Sequence, residues 1–361
     1  MTLILRHIMK ASRFFPLLFS AVLVACSMPL PETVPQEEMQ KVYEEVKTPY
    51  KHGLVIPGTP THAADSPSVF RYKDKWYMSY IIYDGRGYET WLAESPDLLE
   101  WKTLGRIMSF SKEGDWDLNQ KAGYIALEDT RWGGSYELER YGGKYWMSYL
   151  GGDTTGYESG ELSVGIASTS GELSEAHEWD RLSKPVLSPS DPDAGPWDNR
   201  KIYKSTVIRA PRKLTGHPFV MYYNAKGNAE RIAMAVSDDM VHWQRFGSGP
   251  VLSHGDRGIT GDAYIQRIGK LWVMFYFGFA WNEETSRYAW DSFACSYDLI
   301  HWTDWTGEPL IRPSEPFDSR FAHKPCMVKW KGVVYHFYCA VDQDDNRGIA
   351  LATSSPSAGK P

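Results

Sequence analysis

The chain has 361 residues, 42% hydrophobic and 14% aromatic, enough for one large core or two smaller ones. With a net charge of −6, no basic surface points to nucleic acid. Fifteen Trp and 22 Tyr suit β-structure, and they also suit sites where sugar faces stack on rings.

The N-terminus reads as an export signal. Arg6, Lys10 and Arg13 precede an apolar run over residues 14–25, too short to span a bilayer comfortably. The run ends in Leu23-Val24-Ala25-Cys26, which resembles the lipobox of bacterial lipoproteins. That resemblance implies a signal peptide over residues 1–25 and lipidation of Cys26; the alternative is an ordinary secretory signal that holds a Cys. Ser27, where an Asp would suggest inner-membrane retention, points to the outer membrane, on its periplasmic or cell-surface side. Contact with the membrane is then through the lipid alone. Residues 26–49 are rich in Pro and Glu and predict a solvated tether, with a short helix near residues 36–46.

From residue 50 to 355 an internal repeat sets the architecture. An aromatic strand recurs five times: Trp76-Tyr-Met-Ser-Tyr80, Tyr145-Trp-Met-Ser-Tyr149, Phe219-Val-Met-Tyr-Tyr223, Trp272-Val-Met-Phe-Tyr276 and Val334-Tyr-His-Phe-Tyr338. A small apolar strand follows each, and then a Ser-x-Asp-x-x-x-Trp turn into a fourth, as at Ser95 and Trp101, Ser237 and Trp243, and Ser296 and Trp302, with a longer version between Ser168 and Trp179. Four-stranded units that cannot bury both faces alone pack radially, so the pattern predicts an all-β, five-bladed β-propeller. The fifth unit lacks its last strand. Residues 50–56 have no hairpin partner and are expected to supply it, closing the ring. Cys295, Cys326 and Cys339 lie in apolar runs without C-x-x-C or zinc spacing and read as buried thiols, with a disulfide between two of them as the alternative.

In a propeller the first strand of each blade lines the axis. Counting back from the aromatic strands places Asp65, Glu137, Lys204, Asp262 and His323 there, with Lys324 beside the last. Titratable groups converging on one channel point to a site.

The strand Asp65-Ser-Pro-Ser-Val69 resembles the Asp-Pro-x-Val signature of glycoside hydrolase family 43. The aromatic strands and Ser-x-Asp-x-x-x-Trp turns are also similar to that family and to its five-bladed relatives, families 32, 117 and 130. The similarity covers residues 50–354. Family 43 places a Glu acid on the third blade, where this chain has Tyr203 and Lys204; the set Asp65, Asp262 and His323 looks closer to family 117, which uses a His as acid. Glu128-Asp129-Thr-Arg131 resembles the Glu-Asp-Pro-Arg motif of family 130 without its Pro, and is expected in a loop near the channel mouth.

The resemblance implies an exo-acting, inverting glycoside hydrolase acting on polysaccharide-derived oligosaccharides. Glycosidic cleavage needs a carboxylate and a proton donor on opposite sides of the bond. Asp65 is read as the base, Glu137 as the leading acid, His323 as the rival acid, and Asp262 as the group that orients or tunes them. Lys204, Lys324, Arg320 and Arg131 are read as counter-ions or substrate-binding groups, and Trp132 and Trp290 as candidate stacking rings, with Trp197 and Trp281 as lesser ones. No cofactor is required, and a structural channel ion such as calcium is compatible. Two alternatives stay open: a lipid-anchored protein that captures glycans without cutting them, and a phosphorylase like family 130.

Overall fold

Five groups of antiparallel strands follow one another along the chain. The computed structural model describes residues 29–255, 258–282 and 286–358, without the side chains at 281, 282, 286 and 287. The signal peptide, Cys26 and the Trp281 ring fall outside these. The first group is β2 (Ala63–Tyr72), β3 (Lys75–Tyr83), β4 (Tyr88–Ser95) and β5 (Lys102–Met108), each paired with the next. The second is β6 (Gln120–Ile125), β7 (Tyr145–Gly152), β8 (Ser163–Thr169) and the short β9 (Asp180–Arg181). The third is β10 (Lys201–Arg209), β11 (Phe219–Lys226), β12 (Glu230–Ser237) and β13 (Trp243–Phe246). The fourth is β14 (Ile259–Ile268), β15 (Leu271–Asn282), β16 (Ser286–Ser296) and β17 (Thr303–Asp304). The fifth is β18 (Phe321–Trp330), β19 (Val333–Val341) and β20 (Arg347–Thr353). Its fourth strand is β1 (Tyr50–Pro57), antiparallel to β20 from Tyr50 opposite Thr353 to Pro57 opposite Gly348. This is the pairing expected of residues 50–56.

The repeated residues have repeated jobs. The tyrosine that ends the aromatic strand donates its hydroxyl to an aspartate in four units: Tyr149 to Asp117 (2.8 Å), Tyr223 to Asp198 (2.9 Å), Tyr338 to Asp318 (2.8 Å), and Tyr276 to Asp304. A cation or histidine closes each pair, namely Arg181, Arg245, Lys51 and His254 respectively. These partners satisfy phenols whose burial would otherwise leave a polar group unpaired. In the turns, the hydroxyls of Ser95, Ser237 and Ser296 accept the backbone N–H of Leu98, Met240 and Leu299 at 2.9, 3.0 and 2.9 Å. The indoles of Trp101, Trp243 and Trp302 donate back to the carbonyls of those same three residues. So the Ser-x-Asp-x-x-x-Trp spacing encodes a self-capped turn. Cys295, Cys326 and Cys339 are buried free thiols.

The segment expected to be a solvated tether is instead docked along much of its length. Helix α1 (Gln36–Val46) has Glu37 and Glu38 in its first turn, where the helix dipole favours anions. Met39, Val42 and Val46 share one face and are buried in the largest core cluster, which also holds residues of the first and fifth units. Tyr43 stacks on Trp305 at 5.3 Å, Glu38 pairs with Lys270, and Glu45 accepts from Trp132 and Lys329. A composition rich in Pro and Glu hid an apolar stripe of three residues.

Candidate active site

Four of the five innermost strands carry a β-bulge at matching positions. The register slips between Asp65 and Ser68 on β2, Ile202 and Ser205 on β10, Gly261 and Tyr264 on β14, and His323 and Cys326 on β18. A bulge adds one residue to one strand and re-aims its side chains. Ser66, Asp262 and Lys324 adopt φ of 48°, 58° and 67°, a conformation that strains a non-glycine residue and recurs at functional sites. Asp65, Lys204, Asp262, His323 and Lys324 thereby line one cavity of about 280 Å³. The hairpins joining second to third strands open at the same end. They contribute Tyr157 and Glu158 between β7 and β8, Glu230 at the start of β12, and Arg347 at the start of β20. Tyr88, Tyr124, Tyr203, Phe277 and Phe321 form much of the wall, and Arg320, paired with Asp345, stands beside them.

The charges in this cavity are strongly differentiated. Asp65 is buried, which alone would raise its pKa, but Lys324 and Arg347 outweigh burial and hold it well below the usual carboxylate range. Its Oδ1 accepts the Ser66 N–H and hydroxyl (2.7 and 3.2 Å), and its Oδ2 accepts from Lys324 (2.8 Å) and Arg347 (3.1 Å). Glu230 goes the other way. Burial, with repulsion from Glu158 and Asp262, pushes it up to about 8. Glu158 is also raised by burial, but Lys324 and Arg347 oppose that rise. Asn224 ties the set together, donating from Nδ2 to Glu230 Oε1 (3.0 Å) and to Asp262 Oδ1 (2.8 Å). Burial and the nearby Lys324 lower His323 to about 3, so its ring is neutral at physiological pH. Its Nδ1 lies 3.1 Å from the Cys339 carbonyl. That nitrogen therefore carries the hydrogen, and Nε2 keeps a lone pair. In this state the ring presents an acceptor, which favours a neutral hydrogen-bonding role for His323 over that of the acid.

Glu137 is not in the cavity. The first strand of the second unit is β6, which brings Tyr124 to the wall; counting back from the aromatic strand lands on a later segment. Residues 126–139 run past the C-terminal ends of the innermost strands instead. Leu127 N–H donates to the Val207 carbonyl (3.1 Å), Trp132 N–H to that of Arg267 (3.1 Å), and Arg71 N–H to that of Tyr136 (2.7 Å). Lys329 N–H donates to the Tyr136 hydroxyl at 2.7 Å. The cavity residues lie near the N-terminal ends of those strands, and the run from Asp65 to Arg71 alone spans about 20 Å. Glu137 is exposed, and its backbone forms an isolated β-bridge with Arg71. The Glu128-Asp129-Thr-Arg131 loop sits at this same far end: half-buried Glu128 accepts from the Tyr264 hydroxyl, and Arg131 is exposed and paired with Asp129. Trp132, bonded to Glu45, is there too. Trp290 stacks on Tyr288 at 5.0 Å and Trp197 packs on the core cluster shared by the second and third units; neither is part of the cavity wall. Among the described residues no group of three or more His, Cys, Asp or Glu is arranged to hold a metal.

Glu158, Glu230, Arg347 and Asn224 escaped the sequence reading, which looked at first strands alone. The signal was topological. In a four-stranded antiparallel unit the hairpin after the second strand returns to the end where the first strand began, so its charged residues share the mouth.

No protein-family model matches the chain, and no curated protein does. Solved structures do. The chain is 51% identical to BT0996 as seen in a complex with RGII, with a TM-score of 0.86 over 90% of this chain and 96% of that one. The same values hold for a second structure, described as a glycoside hydrolase. A thermostable family-43 glycoside hydrolase, 14% identical, shares the fold with a TM-score of 0.58 over 84% of this chain and 97% of that one. The protein thus has the propeller-type fold of glycosidases, and the chain belongs to the glycoside hydrolases.

Proposed function

We propose that this glycoside hydrolase removes a terminal sugar from an RGII-type oligosaccharide, with Glu230 as the acid and Glu158 as the opposing carboxylate. The observation that carries this reading is the seat of Glu230 in the cavity, bonded to Asn224 Nδ2 at 3.0 Å and crowded by the carboxylates of Glu158 and Asp262. A carboxyl pushed up to about 8 keeps its proton at neutral pH and can deliver it to the glycosidic oxygen as the bond to the anomeric carbon breaks. Asp65, the base expected from the sequence, has both oxygens engaged by four donors and a depressed pKa. A carboxylate so weakly basic is a poor acceptor for a water proton. Glu158, raised rather than lowered, is better suited, and it takes the proton of the water whose oxygen attacks the anomeric carbon. Inversion of configuration, implied by the resemblance to family 43, is the stereochemical part of this reading.

Exo action is supported by a cavity at the small end of ligand pockets whose opposite end is crossed by residues 126–139. The architecture we propose is five blades in a ring closed by β1, supported by its pairing with β20 and by the Lys324–Asp65 bond between last and first units. RGII is the glycan of the similar complex and supports that substrate class. A phosphorylase would need cations free for phosphate, whereas Lys324 and Arg347 pair with Asp65, Lys204 with Asp262 and Arg320 with Asp345. NMR of fresh products from RGII-derived oligosaccharides tests both halves: release of one terminal monosaccharide in the inverted configuration is expected, and internal cleavage or phosphate dependence contradicts it. Export and lipidation at Cys26 at the outer membrane belong to the same proposal. Cys26→Ala should leave the membrane fraction, and unchanged fractionation would overturn the anchor.

A further inference from the structure

Lys204 and Asp262 form an ion pair in the cavity that is too long for a hydrogen bond. Asp262 is gripped at two points. Its Oδ1 accepts from Asn224 Nδ2, and its backbone N–H donates to Asn224 Oδ1, both at 2.8 Å. Gly261 makes that grip possible, since a Cβ there would stand 2.6 Å from Asn224 Nδ2. The carboxylate is thus fixed in orientation, and Oδ2 is buried with no hydrogen-bond partner among the described residues. Lys204 Nζ lies 3.7 Å from that oxygen, beyond hydrogen-bond reach, and 5.1 Å over the Tyr124 ring. Both residues line the cavity. A buried acceptor held open in this way is costly unless something fills it.

We propose that Lys204 and Asp262 form a recognition couple for a hydroxyl of a neutral sugar, the ammonium donating to the hydroxyl oxygen and Asp262 Oδ2 accepting its hydrogen. A hydroxyl donates and accepts at once, which neither a methylene nor a carboxylate does. The couple therefore selects against the deoxy sugar at that position and against a uronic acid there, whose carboxylate would face Asp262. This deepens the catalytic reading above by naming the class of sugar that reading leaves open.

The test uses 4-nitrophenyl glycosides of neutral pentoses, hexoses and 6-deoxyhexoses, the corresponding uronides, and monodeoxy versions of whichever neutral glycoside the wild-type protein cleaves. One monodeoxy position should cost about 100-fold or more in kcat/KM, because a site built for a hydroxyl is left unpaired without it. That penalty should shrink at least tenfold in both Lys204→Met and Asp262→Asn. A uronide preferred over every neutral glycoside overturns the proposal, and so does a deoxy series flat to within tenfold in the wild type, or a penalty undiminished in both variants. The wild-type series needs no variant to fold. The catalytic reading fails separately, through Glu230→Gln and Glu158→Gln on the parent glycoside.

Discussion

Lys324 of the fifth unit donates to Asp65 of the first at 2.8 Å, and Arg347 reaches the same oxygen at 3.1 Å. One carboxylate is therefore shared by two largely buried cations across the seam between the chain's first and last units. Asp65→Asn removes the carboxylate that both cations share, a loss expected at about 3–5 kcal/mol. Urea unfolding measures it, and a loss below about 1 kcal/mol would show that solvent already screens the trio. The pH dependence has a definite sign. The folded pKa of Asp65 is depressed, so its stabilisation is present above the unfolded value of about 3.9 and is lost as pH falls below it. The acid limb of the wild-type stability profile should flatten in the variant.

Glu230 titrates in the opposite sense. Its folded pKa, about 8, lies above that of the unfolded chain. The folded state binds the extra proton, so wild-type stability relative to Glu230→Gln is highest below about pH 4.3. It should fall by about 1.4 kcal/mol per pH unit as pH rises toward 8. Chemical denaturation of the two proteins at a series of pH values reads this directly. Parallel profiles would place the proton elsewhere in the cavity.

Helix α1 makes the N-terminal segment part of the fold. Truncation through residue 47 removes Met39, Val42 and Val46 from the core and Tyr43 from Trp305. A melting temperature lowered by several degrees is expected, and Met39→Ala alone should cost about 2–5 kcal/mol. An unchanged melting temperature for the truncation would return the segment to the status of a tether.

The fold was legible because its signals are periodic and local. The aromatic strands, the Ser-x-Asp-x-x-x-Trp turns and the unpaired strand before the first unit each correspond to a feature of the structure, down to β1 beside β20. Half of the cavity was legible for the same reason: Asp65, Lys204, Asp262, His323 and Lys324 sit at bulges on strands that counting could find. Glu137 was misplaced because the connection between β6 and β7 is long and carries a strand-like segment, Ser135-Tyr-Glu-Leu138, that crosses the far end of the channel. Protonation states were not legible at all. His323 and Glu230 are set by burial and by neighbours from other units, which sequence distance does not show.

The assignment of Glu230 as acid is tested most directly by leaving-group rescue. Glu230→Gln, Glu158→Gln and Glu137→Gln are assayed on a native oligosaccharide and on an aryl glycoside with a good leaving group. Glu230→Gln should lose about 10²-fold or more on the oligosaccharide and recover most of it on the aryl glycoside, whose departure needs no proton. Glu158→Gln should fail on both, and Glu137→Gln should match wild type. Rescue of Glu158→Gln in place of Glu230→Gln would exchange their roles, and full activity of both on the oligosaccharide would contradict the account.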